Sequence, residues 1–485
     1  MSSEGLETIT SHSAINVSVV EKPSTESEGR KKSVPQSAKL LEVIECEAKP
    51  SLKSMKLLFV AFACEPGRGS EPGIGWNFVD EASRRRPVWV ITHASFRNPI
   101  EAYLKTQHRY HPITPIYVRL PGLLWLWNSY FGVNIYYYFW QFVAARSGRK
   151  AHRREGFDLI QHVSFERYWM HSAASSIGAP FIFGPVGGGE NWPTSMRSEM
   201  PLLDRVRARF WSAIRAAMEL DPFLKKTLRR AEGVIPSVDI VGSHLRRLGI
   251  KPLEVMASVA PKPKLPPIVA WTVRPEVFRF ISIGRVPRWK AVHLGIKAFA
   301  KAFGPKSNQP NAKVEYVIIG EGEDLGRLKE LTIELGLESQ IRFEGNLPYD
   351  ACLKELSAAG ALIHPAFRDS AGLIFESLML GIPVACLDIG LPALLIDSSC
   401  GVVLETENGA QAVVQELSDS MIRWEQDDIE HARIREGAFK RAEQMSREKR
   451  GERLELLYES VLSNLKSTQG NAKGFRAKSF HEKMS

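Results

Sequence analysis

Two stretches of this chain place cations, glycines and a single carboxylate where a polypeptide can meet a phosphate. In FISIGRVPRWKAVHLGIKAF, Arg285 and Lys290 follow a strand-like apolar run and precede a helical pattern, so both fall at the carboxyl edge of a sheet. Arginine offers a fork of donors and lysine a point charge, a pair suited to a diphosphate; solvated loop cations are the other reading of the same residues. In ALIHPAFRDSAGLIFESLMLGIPVACLDIGLPALL, buried strands are expected at Ala361–Ile363 and Val384–Leu387, with a loop and a helix opening near Gly372 between them. The amides of Ser370, Ala371, Gly372 and Leu373 at that helix start, with the helix dipole behind them, favour a phosphate, and Gly372 lets a ligand approach the backbone. Glu376, one turn in, is a carboxylate among Leu, Ile, Phe and Met; it reads either as a surface residue or as a ligand. In VEYVIIGEGEDL, Gly320 and Gly322 end a strand tightly, and after IRFE the backbone groups of Gly345, Asn346 and Leu347 could cup a flat base.

The elements that must carry these residues alternate strand and helix. Strands are expected at Met55–Ala63, Val88–Thr92, Pro115–Leu120, Phe157–Val163, Pro180–Phe183 and Gly233–Ser237. A second series is expected at Phe278–Gly284, Val314–Ile319, Ile341–Phe343 and the two runs above. Helices are expected near Val292–Phe303, Leu325–Leu335 and Tyr349–Ala358, and a Gly- and Pro-rich loop after the first strand empties into a helix near Gly73 or Ile74. The architecture this implies is α/β, with two Rossmann-like domains, 55–265 and 275–440, facing across a cleft. A Pro- and Lys-rich linker near Lys251–Arg274 joins them. Residues 1–54 are polar and aperiodic and read as a disordered extension; 441–465 form a helix able to pack back on the first domain, and 466–485 a basic, frayed tail.

Composition narrows the function classes. With 485 residues, 44% hydrophobic and 24% charged, the chain has the balance of a soluble globular protein of two domains plus tails. A formal charge of +10 fits sugar nucleotides, anionic lipid surfaces or nucleic acid, and selects none of them; no DNA- or RNA-binding motif accompanies it, so no nucleic-acid partner is expected. The five cysteines show no paired spacing and no cluster with histidine, which points to free thiols in a cytoplasmic setting and to no metal site. The start of the chain lacks the apolar core of a signal peptide. Gly69, Gly73 and Gly75 do not fit the dinucleotide fingerprint, and neither a P-loop, a nucleophile elbow nor an Asp-x-Asp metal triplet occurs.

One segment stays open between three placements. Leu120–Ala145 is crowded with Trp, Tyr and Phe, has no charge and is long enough to span a bilayer, yet Pro121, Gly122, Asn128, Gly132, Asn134 and Gln141 interrupt it. A buried or acceptor-facing helix, an interfacial membrane contact and a true span all remain.

The order of pieces resembles a known family. Strand–Gly-Arg-x4-Lys, then IIGEGEDL, then the F-x-G-x-L-P loop, then HPA…SAGLIFESLMLGIPVACLD resembles the retaining family-four glycosyltransferases of the GT-B fold, over roughly Met55–Leu465. ACEPGRGSEPGIGW, DLIQHVSF and PFIFGPVGGGE look like a bacterial subgroup linked to surface-polysaccharide synthesis. The resemblance implies that Arg285 and Lys290 hold the donor diphosphate and stabilise the leaving nucleotide, and that Glu376 accepts hydrogen bonds from the ribose. It implies further that Ala371, Gly372 and Leu373 meet donor sugar and phosphates, and that His162 faces the donor sugar, although a strand-end histidine is often structural. Gly73 and Gly75 match the glycine loop through which the first domain approaches donor and acceptor. One position departs from the pattern: Arg368 stands where the first glutamate of E-x7-E belongs. Asp369, one residue out of register, is the carboxylate that could take its place; otherwise the sugar is held differently or activity is lost.

The expected activity is metal-independent, hexosyltransferase-like and without a cofactor. A sugar passes from a nucleotide diphosphate sugar to an acceptor hydroxyl, on a sugar, lipid-linked or glycoconjugate acceptor, with a possible peripheral contact at the inner face of the membrane. The alternative is a non-catalytic GT-B protein that binds a sugar nucleotide or scaffolds a membrane-associated assembly.

Overall fold

Leu57–Val60 (β1) is buried along its whole length and has no polar face, as a strand covered on both sides requires. The computed structural model describes residues 55–106, 111–122, 130–189, 192–260, 275–310, 312–368 and 371–481. In the first half, β1 is followed by α1 (Ser70–Ser83), β2 (Val88–His93), α2 (Arg97–Thr106), β3 (Ile113–Val118), α3 (Tyr130–Glu155), β4 (Leu159–His162), β5 (Phe181–Val186), α4 (Leu202–Met218), α5 (Pro222–Arg230), β6 (Gly233–Pro236) and α6 (Asp239–Arg247). The second half runs β7 (Phe278–Ile283), α7 (Val292–Phe303), β8 (Val314–Ile319), α8 (Leu325–Glu334), β9 (Ile341–Gly345), α9 (Tyr349–Ser357), β10 (Ala361–His364), α10 (Gly372–Met379), β11 (Val384–Leu387), α11 (Gly390–Leu395) and β12 (Gly401–Leu404). Three helices close the chain: α12 (Gly409–Gln426), α13 (Asp428–Gln444) and α14 (Arg447–His481).

The strands form two six-stranded sheets, ordered β3-β2-β1-β4-β5-β6 and β12-β11-β10-β7-β8-β9. Every strand pair in them is parallel. Counted from its own first strand, the second sheet repeats the order of the first. Strand order therefore reverses between β1 and β4 and again between β7 and β10, and at such a point the loops leaving the carboxyl ends diverge and open a crevice.

The structure corrects the sequence reading in several places. Helix α1 begins at Ser70, so Gly73 and Gly75 lie inside a helix and not on the loop before it. A Cβ on Gly75 would stand 2.1 Å from the carbonyl oxygen of Ala63, so the missing side chain is what lets α1 pack directly on the chain leaving β1. The third strand is shifted two residues toward the N-terminus, to Ile113–Val118. Strand β12 was not anticipated: Gly401-Val402-Val403-Leu404 is short, and its first three residues are only half-buried. The backbone of α14 continues to His481, beyond the tail boundary expected at Lys466.

Of the aromatic segment, residues 123–129 lie outside the described residues. Residues 130–145 belong to α3, where Tyr136, Tyr137, Trp140 and Ala144 are buried while Phe139 and Phe142 remain exposed. No helix among the described residues is long and apolar enough to cross a membrane.

Two segments tie the halves together. The connection from β5 to α4 reaches into the second half, where Met196 is fully buried in the second core and Trp192 stacks on Phe367 with ring centroids 3.9 Å apart. Ser195 Oγ donates to the Thr406 carbonyl at 2.6 Å. In the other direction α14 returns to the first half: Arg450 donates to Glu81 at 2.9 Å with both side chains buried, Arg86 pairs with Glu455, and the Tyr458 hydroxyl donates to Gln161.

Candidate functional site

The reversal point of the second sheet carries a pocket lined by Gly284, Arg285 and Lys290 beyond β7, Ile319 at the end of β8, His364 at the end of β10 and Pro365 beyond it. Backbone hydrogen bonds fix these loops to one another. Gly284 N–H donates to Ile319 at 2.9 Å, Val286 N–H to Glu321 at 2.9 Å, and Asp324 N–H to Val286 at 3.1 Å. Gly320 N–H donates to the Gly345 carbonyl at 2.7 Å, and Phe367 N–H to the Trp289 carbonyl at 2.9 Å. The four strand ends thus form one hydrogen-bonded rim. Gly320 is indispensable to it: its φ is +130°, and a Cβ there would lie 2.0 Å from the Gly284 carbonyl oxygen.

The cations in this rim are not ordinary surface charges. Lys290 is half-buried, and burial together with the neighbouring Arg285 guanidinium lowers its pKa to about 8. His364 is buried beside it; burial, then the Lys290 charge, pushes the imidazole down to about 3, so it is neutral in the physiological range. Arg285 is exposed. An anion entering the pocket would offset the mutual repulsion of Arg285 and Lys290 and favour the charged amine.

Across the crevice, α10 begins at Gly372 with Ala371 as its N-cap, fully buried and left-handed at φ +60°. Nothing lies within 4 Å of the position a Cβ on Gly372 would take, so the helix start faces open space. Leu373 is half-buried, and so is Glu376, whose Oε1 accepts a hydrogen bond from the Tyr349 hydroxyl at 2.8 Å. Gly345, with φ +63°, ends β9; Asn346 is exposed and Leu347 half-buried in the turn leading to Tyr349. Asp369 lies outside the described residues, and its neighbour Arg368 is exposed. Among the described residues no group of carboxylates, histidines and cysteines is arranged to hold a metal ion.

The structure thus brings Arg285, Lys290, Gly320 and Gly345 onto one rim. Ala371, Gly372, Leu373 and Glu376 lie on the helix that follows its β10 edge, and Asn346 and Leu347 on the turn after β9. It does not join His162 to them. That ring ends β4 at the reversal point of the first sheet, fully buried, with Nε2 3.2 Å from the Tyr137 hydroxyl and Nδ1 2.9 Å from Ser172 Oγ. Burial lowers its pKa to about 3, with a smaller push from His171. Both nitrogens serve the interior of the first half.

Three residues escaped the sequence reading. His364 had a usable signal, since it ends a strand just as Arg285 follows one. Glu71 in the first turn of α1 is half-buried and accepts from the backbone N–H groups of Phe165 and Glu166, holding the loop after β4 in which Ser164 and Phe165 adopt φ of +64° and +53°. Tyr349 had no signal, because its role depends on the packing of α9 beside α10.

The stretch that carries this rim is similar to known proteins. Residues 270–441 match the family described as Glycosyl transferases group 1. That match spans 172 of the chain's 485 residues. Its boundaries enclose every rim residue named above. A curated relative, the poly(glycerol-phosphate) alpha-glucosyltransferase of Bacillus subtilis (strain 168), is 28% identical over 175 residues, covering 36% of this chain and 24% of that protein. The chain spans between 24% and 42% of the length of the curated relatives it matches. Among solved structures, a glycosyltransferase from Rickettsia africae ESF-5 aligns with a TM-score of 0.53 at 16% identity, over 85% of this chain and 99% of that one. Anabaena Alr3699/HepE in complex with UDP aligns at 0.50 and 15% identity, over 84% and 100%. These likenesses extend beyond the group 1 domain to both sheets, and the fold is GT-B.

Proposed function

We propose that the protein transfers a sugar from a nucleotide diphosphate sugar to an acceptor hydroxyl, with retention of anomeric configuration, in the synthesis of a polysaccharide or glycoconjugate. The observation that carries this is the rim in which two cations, Arg285 and Lys290, line one pocket at the reversal point of the sheet. A diphosphate there gains charge as the glycosidic bond breaks, and fixed cations that meet developing charge lower the barrier without reorganising. Glu376 takes the ribose hydroxyls, and the backbone turn Gly345–Leu347 meets the base. The acceptor attacks from the face the diphosphate leaves, and a diphosphate oxygen takes the proton, so no protein nucleophile is needed. Support comes from the group 1 match and from a GT-B structural neighbour solved with UDP.

The exposed Arg368 favours a second reading, a GT-B protein that binds a sugar nucleotide without transferring the sugar. A panel of UDP-, GDP- and ADP-sugars separates the two. Thermal shift finds the donor, since a ligand of the native state raises its melting temperature. Sugar release or transfer, with the product anomer read by NMR, then tests catalysis. Binding without any turnover on acceptor extracts selects the second reading, no binding of any donor rejects both, and an inverted product rejects the retaining step.

A further inference from the structure

Helix α4 (Leu202–Met218) buries none of its residues although it carries several large apolar ones. Leu202 and Leu203 are 73% and 72% exposed, Val206 58% and Phe210 56%. With Ala213 and Ala217, also exposed, Leu202, Val206 and Phe210 recur at three- and four-residue steps and share one stripe of the helix. The half-buried positions, among them Asp204, Ala208, Trp211 and Arg215, fall on the opposite stripe. A helix of a globular protein normally turns its apolar stripe to the core; this one is laid down the other way.

The charges around the stripe are of one sign. Arg205 and Arg209 border it on one side and Arg207 on the other, and all three are exposed. The helix's own acid, Asp204, lies on the inward stripe, 3.5 Å from Arg207. Just beyond the helix Leu220 is 70% exposed, and Phe223 packs on Phe142 of α3 with ring centroids 5.0 Å apart, both rings partly in solvent.

We infer that the outward face of α4 is a docking surface for an anionic phospholipid bilayer. Its apolar stripe is suited to the boundary between headgroups and acyl chains. Arginine side chains on both borders reach outward along their own apolar stems to lipid phosphates. An apolar stripe alone would also suit a protein partner; a border of exposed arginines with no exposed acid complements a negative lipid surface. The net charge of +10 acts in the same direction. This surface is separate from the rim of the group 1 domain and does not depend on the chemistry proposed there. It also differs from the aromatic run that the sequence singled out, of which Phe142 touches this region only at its edge.

The test is co-sedimentation of the full chain with vesicles of phosphatidylcholine alone and of phosphatidylcholine with phosphatidylglycerol. The chain is expected to pellet with the anionic vesicles, severalfold more than with neutral ones, and less as salt is raised. Val206→Glu with Phe210→Glu should reduce pelleting to background while circular dichroism and melting temperature stay as in the wild type, because both side chains are exposed. Arg205→Gln, Arg207→Gln and Arg209→Gln together should remove the preference for anionic vesicles. Wild-type chain that remains in the supernatant, or a Val206→Glu/Phe210→Glu variant that pellets like wild type, overturns the inference. A dimer in light scattering that this variant dissolves, without vesicle binding, gives the face to a second copy and overturns it equally.

Discussion

Tyr349 donates its phenolic hydrogen to Glu376 at 2.8 Å, so the carboxylate of α10 is aimed by a side chain from the helix before it. The bond is partly exposed to water, and a bond of that kind is worth about 0.5–1.5 kcal/mol net. Tyr349→Phe is expected to weaken binding of the nucleoside diphosphate by roughly 2- to 10-fold. Glu376→Ala removes hydrogen bonds to a charged acceptor and should cost more, about 10- to 100-fold. Isothermal titration with the donor nucleotide measures both; two variants that bind as tightly as wild type would remove Glu376 from the site.

Lys290 gives the site a pH dependence whose sign follows from its lowered pKa. In the folded protein the lysine titrates at about 8, against 10.5 when solvated. Between those values the unfolded chain holds the proton that the folded one has released, so stability of the unliganded protein should rise as pH increases from 8 toward 10.5. Binding of the diphosphate needs the charged amine and should weaken over the same interval. Lys290→Met is expected to abolish both trends and to lower turnover by about 10²- to 10³-fold, the loss typical of removing one preorganised donor. Denaturant titrations and donor affinities at pH 7, 8, 9 and 10 check the sign. A flat stability profile in the wild type would contradict the assignment.

Gly320 acts on Arg285 through the backbone. A Cβ would stand 2.0 Å from the Gly284 carbonyl, and relieving that clash moves the backbone that leads directly into Arg285. Gly320→Ala should therefore reduce donor affinity at least as much as Arg285→Ala, and should also lower the melting temperature, which Arg285→Ala, an exposed change, should leave alone. Equal melting temperatures for the two variants would show that the rim yields without cost.

How much of this could be read from the chain depended on the kind of signal. Val384–Leu387 is legible to the residue because an uninterrupted apolar run after Gly381 and Pro383 can be little else than a buried strand, and Val314–Ile319 because a β-branched, mostly apolar run stops at Gly320. Arg285 and Lys290 were legible as strand-end cations, and the rim confirms that they share one pocket. The start of α1 was hidden because Pro72 and the glycines read as a loop. Proline is tolerated in a first helical turn, and Gly73 and Gly75 answer to close packing against the backbone of Arg68 and of Ala63. Tyr349 and Glu376 are 27 residues apart, and their meeting is set by how α9 lies on α10. Helix α4 shows the deepest limit: its periodicity is that of any amphipathic helix, and only burial reveals that the apolar side faces out.

Breaking the return of α14 onto the first half should be costly. Glu81 and Arg450 are both buried, and the arginine also donates to the Ser258 carbonyl at 2.9 Å. Removing one partner of such a pair leaves a desolvated charge behind, typically about 3–5 kcal/mol, whereas replacing both with apolar groups of similar volume is far milder. Glu81→Ala is therefore expected to shift urea unfolding by an amount of that order, and Glu81→Leu with Arg450→Met by much less. A double variant as unstable as the single one would mean that the shape of the contact matters more than its charge.

Acid should loosen the tie made by the β5–α4 connection. His293 Nε2 is 2.8 Å from Glu199 Oε2, a contact between the two halves in which the imidazole is buried and the carboxylate partly so. Burial holds the His293 pKa below its usual 6.5, and the hydrogen bond from His293 holds that of Glu199 below its usual 4.5. For both groups the unfolded chain binds the proton first as pH falls. Stability is therefore intact above about pH 6.5, declines as the histidine is forced to charge, and declines further below about 4.5 as the carboxylate protonates. Glu199→Gln keeps an acceptor and should flatten the lower part of this profile, while His293→Gln should flatten the upper part. Met196→Ala empties a fully buried site in the second core and should destabilise by about 2–5 kcal/mol at every pH. Calorimetry from pH 7 to 4 distinguishes the two behaviours. If acid leaves the wild-type melting temperature unchanged across that range, the Glu199–His293 contact does not hold the halves together.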